Sequence, residues 1–123
     1  MIDPALMPTA GQKALLAASL LPYLVLALYD GWLHEKARRV PRVEQVLHGT
    51  LFVTGVAFVF GVFTARMWLA LPTLAVFACA AFADETGFHA LLEARERRLH
   101  HVAYACFAGF VAVAVGIGAL WWP

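Results

Sequence analysis

The stretch Asp30-Gly-Trp-Leu-His34-Glu-Lys-Ala-Arg-Arg-Val-Pro41-Arg-Val-Glu44-Gln-Val-Leu-His48 lies between two long apolar runs, and its reading decides the fold. Asp30 and His34 are four residues apart, as are Glu44 and His48, so on a helix each pair shares one face. Pro41 stands between the pairs, where it ends one helix and opens the next at its first turn. The same acid-x-x-x-His spacing returns twice more, as Glu85–His89 and as Glu96–His100. One such pair is an ordinary helix contact, worth about 0.2–0.5 kcal/mol. Four of them in one short chain point to a shared site.

The rest of the sequence places that site in a membrane. Of 123 residues, 63% are hydrophobic and 14% charged, against about 45–50% and about 25% in a soluble domain. The charges crowd into 30–44 and 84–98, which leaves four nearly uncharged runs at 14–29, 46–65, 67–83 and 102–122. Each is close to the ~20 residues a helix needs to cross hydrocarbon. The expected fold is therefore all-α, a single-domain integral membrane four-helix bundle. It divides into two pseudo-repeated helical hairpins, 12–65 and 67–122. Asp30 aligns with Glu85, His34 with His89, Glu44 with Glu96 and His48 with His100. Repeats in membrane proteins commonly hold a site on the axis between the halves.

Lys36, Arg38, Arg39, Arg42, Arg95, Arg97 and Arg98 fall in the two charged loops, and only Lys13 and Arg66 on the other side. The positive-inside rule then makes both charged turns cytoplasmic and puts both termini across an inner membrane. Residues 1–11 lack the basic start of a cleaved signal, so the first helix is expected to stay. Trp68, Trp121 and Trp122 are expected at the far interface. Pro22 should kink the first helix, and Gly49, Gly55 and Gly61 should let the second pack closely. Cys79 and Cys106 lie within spans and are expected reduced and packed. The last reversal must fall between Gly87 and Glu96 and is placed near Glu93–Arg95. A competing arrangement turns at Asp84–Gly87 and lays 88–99 on the membrane surface. A net charge of +1 without a basic patch gives no reason to expect nucleic acid. The bilayer itself is the expected partner, with a lipid-soluble small molecule as substrate.

Imidazole and carboxylate together suit first-row transition metals, and helix bundles build such sites from side chains on facing helices. Here the sequence resembles the ferritin-like di-iron carboxylate proteins, which carry a Glu on each of two helices and Glu-x-x-His on the other two. The resemblance covers Asp30, His34, Glu44, His48, Glu85, His89, Glu96 and His100. It departs from that family in its i,i+4 spacing and in offering a His on every helix. It implies a centre of two transition-metal ions, iron ahead of zinc or manganese. A metal-dependent oxidoreductase acting on a lipid-soluble substrate would follow from iron. Asp30 and Glu85, a turn deeper than the histidines, are the expected bridging or capping ligands, since charge at that depth is expensive unless paired. Glu44 and Glu96 either complete the shell or stay solvated nearer the turns, with Asp84, Glu93 and His101 as spares.

Two other readings use the same residues. A b-type haem carrier would take His34/His89 or His48/His100 as axial pairs, leaving Asp30 and Glu85 unexplained. A small structural or assembly subunit would use the charged end to dock a larger complex. Other motifs fail: His34-Glu35 is not followed by His at position 38, and five histidines are too few for the histidine boxes of membrane desaturases. There is no Gly-rich phosphate loop and no Cys-x-x-Cys-His.

Overall fold

The computed structural model describes residues 4–37, 39–88 and 93–120, the side chains of 34–37 excepted. A short 3-10 turn, Pro4–Leu6, leads into four helices: α1 (Ala10–Ala37), α2 (Arg42–Phe63), α3 (Met67–Gly87) and α4 (Ala94–Gly116). A capping box starts α1. The Gln12 N–H donates to Thr9 Oγ1 (3.2 Å), and the Thr9 N–H donates to Gln12 Oε1 (2.9 Å). Pro41 takes the N-cap position of α2, as its place between the acid–His pairs predicts. The α2–α3 turn is closed by the Arg66 N–H on the Gly61 carbonyl (2.8 Å), with Ala65 left-handed at φ 53°. The last reversal lies between Gly87, where α3 stops, and Ala94, where α4 opens behind an extended Glu93. Glu93 is the extended cap and Ala94 and Arg95 are already helical, while residues 89–92 lie outside the described residues. Ala94–Leu99 are the first turns of α4, so they form no separate surface helix.

Each helix is long and apolar enough to cross a membrane. The bundle also has the polarity a bilayer demands. Leu28 (75% exposed), Phe52 (72%) and Phe82 (72%) face outward, whereas Glu44, Asp84 and His100 are buried. In water that arrangement would be costly on both counts; in hydrocarbon it hides the ionisable groups from lipid. Cys79 is exposed on the outer face rather than packed, and Cys106 is half-buried, both as free thiols. Trp68, at the start of α3, is exposed at the far end. Trp121 and Trp122 lie outside the described residues.

The closest partnerships are α2 with α3 and α1 with α4. They run between the two expected hairpins rather than within them. In the α1/α4 pair, Gln12 Nε2 donates to the Ile117 carbonyl (3.3 Å) at one end and His100 meets Asp30 (2.7 Å) at the other. The helices are thus antiparallel and keep register along most of their length. In the α2/α3 pair, Gly61 lies against Ala70 and Gly55 against Phe77. An aromatic seam joins the two pairs. Phe107 stacks on Phe77 (centroids 4.4 Å apart) and touches Tyr23 (5.0 Å) and Phe58 (5.7 Å).

Gly61 shows how closely α2 and α3 approach. A Cβ there would sit 2.9 Å from the Ala70 backbone nitrogen and 3.0 Å from its Cα, and a backbone cannot swing aside. A Cβ on Gly49 would meet nothing within 4 Å. Gly61→Ala should therefore lower the melting temperature of the detergent-purified protein by several degrees, about 1–3 kcal/mol of overpacking. Gly49→Ala should leave it unchanged or raise it. Equal effects in thermal melts would mean that the helices do not touch at Gly61.

Candidate metal centre

Two groups of side chains come together at the charged end, one in each helix pair. Between α2 and α3, His48 Nε2 lies 3.3 Å from Asp84 Oδ2 and 3.9 Å from Glu44 Oε1. Both acids are buried, Glu44 at 0% and Asp84 at 1% exposure. Between α1 and α4, His100 Nε2 lies 2.7 Å from Asp30 Oδ1, and Glu96 completes the group. Within each trio, one ligand atom per residue lies within 4.8 Å of the others, so each could hold a metal ion. Each consists of one acid from one helix and Glu-x-x-x-His from its neighbour.

Inward-facing stripes position these groups. On α2 the stripe runs Glu44, His48, Leu51, Phe58, Val62; on α4 it runs Glu96, His100, Ala103, Phe110, Ala114. The spacings are the same, four then three then seven then four, the a/d rhythm of a helix seam. On α1 Leu16, Tyr23 and Asp30 follow one another at sevens, and on α3 Ala70, Phe77 and Asp84 do likewise. Asp84 therefore stands on α3 where Asp30 stands on α1.

The groups face one cavity of about 270 Å³. Asp30 and His100 line one side and His48 and Asp84 the other, with Tyr23, Phe77 and Tyr104 below them. Tyr23 and Phe77 of the aromatic seam thus also line the cavity.

Asp30, Glu44, His48, Glu96 and His100 are brought together as trios, and Glu44 is buried rather than solvated. Asp84, a spare in the sequence reading, completes the α2/α3 trio. Glu85, expected in that role, turns toward α4 instead. Its Oε1 lies 2.9 Å from Nε2 of the exposed His101, and its Oε2 lies 3.9 Å from His100 Nδ1. Adjacent residues on a helix point about 100° apart, so α3 can offer only one of the two acids to α2. The signal for Asp84 was its spacing of seven from Phe77, but on a helix apolar all round that stripe does not stand out. Glu93 is exposed at the α4 cap. The side chain of His34 and the whole of His89 lie outside the described residues, and with them the expected layer of four histidines.

No protein-family model, curated protein or solved structure matches the chain.

The two acids of α3 should differ in weight. Removing one partner of a buried ionic contact costs about 3–5 kcal/mol, and an exposed pair contributes about 0–1 kcal/mol. Asp84→Asn should destabilise the purified protein in thermal melts far more than Glu85→Gln. The reverse order would mean that α3 is rotated so that Glu85 faces α2.

Proposed function

We propose that this chain is a membrane-embedded metal protein, with one transition-metal ion in each trio and both ions facing the shared cavity. The observation that carries the reading is the duplicated trio of two carboxylates and one imidazole, drawn from all four helices at one depth of a bundle whose outside is apolar. The donors fit first-row ions: imidazole and carboxylate suit iron, manganese and zinc. Ligands around an ion with bonds of roughly 2.0–2.2 Å lie roughly 3–4 Å apart, close to the present spacing. Four carboxylates and two histidines, with an acid alone on α1 and α3 and acid-x-x-x-His on α2 and α4, follow the plan of di-metal carboxylate bundles with a wider spacing. Iron is the first choice, and the pseudo-repeat then relates Asp30 to Asp84. The charged end is the cytoplasmic one by its arginines.

Each part of the chain has a role in this reading. Glu44, His48 and Asp84 hold one ion; Asp30, Glu96 and His100 hold the other. Phe77, Tyr23 and Tyr104 shape the inner cavity and keep water from spreading down the bundle. Glu85 lies where a carboxylate would orient His100 through its Nδ1, a common arrangement behind a ligating histidine. When bound, two redox-active ions would supply electron transfer or oxygen chemistry to a lipid-soluble substrate. His48 and His100 each face carboxylates rather than one another, which favours metal ions over a haem held between them.

Elemental analysis of the detergent-purified protein tests the reading. The wild type should carry close to two ions per chain, and alanine at either Asp30 or Asp84 should lower that to one. A metal-free wild type that stays folded, or a Soret band in its visible spectrum, would overturn it. A second check is stability: stripping the ions with a chelator should lower the melting temperature of the wild type, because ligands that bind only the folded state stabilise it. The same chelator should have almost no effect on a variant with His48 and His100 both changed to Ala. A wild type indifferent to the chelator while losing its metal would mark the ions as adventitious.

A further inference from the structure

A second cavity lies on the outside of the bundle. It is a groove of about 490 Å³ between α1 and α4 at the charged end. Its character changes along its length. Arg95 and Arg98, in the first turns of α4, stand with Leu33 at the outer end, and Leu26 and Val102 line the inner end. From Arg95 to Val102 is about 10 Å along the helix at ~1.5 Å per residue. In a bilayer that carries the groove from headgroup level into the acyl chains. Tyr29 lines it and stacks on Trp32 (6.1 Å), both exposed, as aromatic residues do at the membrane interface. Among the described residues neither Arg95 nor Arg98 takes part in an ion pair, although Glu93 and Glu96 line the same groove.

We infer that this groove is a binding site for an anionic phospholipid, with its phosphate on Arg95 and Arg98 and an acyl chain along Leu26, Leu33 and Val102. The planar guanidinium fork matches a phosphate with two hydrogen bonds at once. Free phosphate would leave the apolar length of the groove uncovered. Glu96 is shared with Asp30 and His100 in the inner trio, which leaves the groove two arginines against the single carboxylate of Glu93; that positive balance favours an anionic lipid over a zwitterionic one. Glu96 belongs both to this groove and to the α1/α4 trio. A lipid seated here is therefore held against the wall of the candidate metal centre. The inference rests on the groove and on the membrane placement, and holds with or without the metals.

Native mass spectrometry of the full chain in detergent, with phosphatidylglycerol or phosphatidylcholine added as probe, tests it. The wild type should retain one phosphatidylglycerol, several-fold more than phosphatidylcholine. R95Q/R98Q should lose that preference. V102W, which fills the inner groove and leaves both arginines in place, should lose the bound lipid. R39Q/R42Q removes two exposed arginines at the same end but outside the groove, and should bind as the wild type does. Equal retention of the two lipids by the wild type would overturn the inference, as would R39Q/R42Q weakening binding as much as R95Q/R98Q. So would displacement of the lipid by millimolar inorganic phosphate. Metal content measured on the same samples should not change in R95Q/R98Q, so a failure here is distinct from a failure of the metal reading.

Discussion

An ionisable side chain facing hydrocarbon is too costly to keep, and this constraint does more in the molecule than turn a few residues inward. The helices are apolar nearly all round, so hydrophobicity gives none of them a preferred face. Glu44 and His48 on α2, Asp30 on α1 and Glu96 and His100 on α4 supply that preference. With these turned to the interior, the rotations of α1, α2 and α4 are set; on α3, where Asp84 and Glu85 are neighbours, packing against the other helices makes the choice. The residues on the same stripes, Leu16, Phe58, Phe77 and Phe110 among them, then become the core. In a soluble bundle an apolar stripe orients the helix and polar residues follow. Here the polar residues orient it.

The way the helices pair explains why there is a cavity. Gly61 brings α2 against α3, and the contacts at Gln12 and Asp30 bind α1 to α4 along their length. The seam between these two pairs is filled at mid-depth by Phe107, Phe77, Phe58 and Tyr23. Toward the charged end the large rings give way to Asp30, His48, Asp84 and His100, and space opens between the pairs. Each helix pair thus offers one candidate ligand trio, and the cavity lies between the two pairs. The α1/α4 pair carries in addition the lateral groove, so Glu96 belongs to both an inner and an outer feature of the same helix contact.

Much of this was legible in the chain itself. Four apolar runs separated by charge give four long helices whatever their packing, because backbone groups in hydrocarbon have to be satisfied within the helix. Pro41 marks one reversal, and the spacing of Glu44 to His48 and of Glu96 to His100 places each pair on one face before any partner is known. These properties are local. They depend on 3.6 residues per turn and on the cost of burying charge, and both can be counted along a sequence.

Which acid joins which histidine is not local. Asp84 and Glu85 are neighbours, both carboxylates at nearly the same depth, and only the rotation of α3 chooses between them. Phe77 against Phe107 and Gly61 against Ala70 hold that rotation, and those contacts involve residues far apart in the chain. The partnership of α2 with α3 and of α1 with α4, in place of partnerships within each hairpin, has the same origin. It depends on how closely two surfaces fit, at one glycine to within a few tenths of an ångström. The sequence by itself determined the helices, their apolar character and the two Glu-x-x-x-His faces. Only the tertiary structure decided that Asp84 turns inward and Glu85 aside, because the choice is made by packing across the bundle, where Ala70 and Phe77, on the same stripe as Asp84, meet α2 and α4.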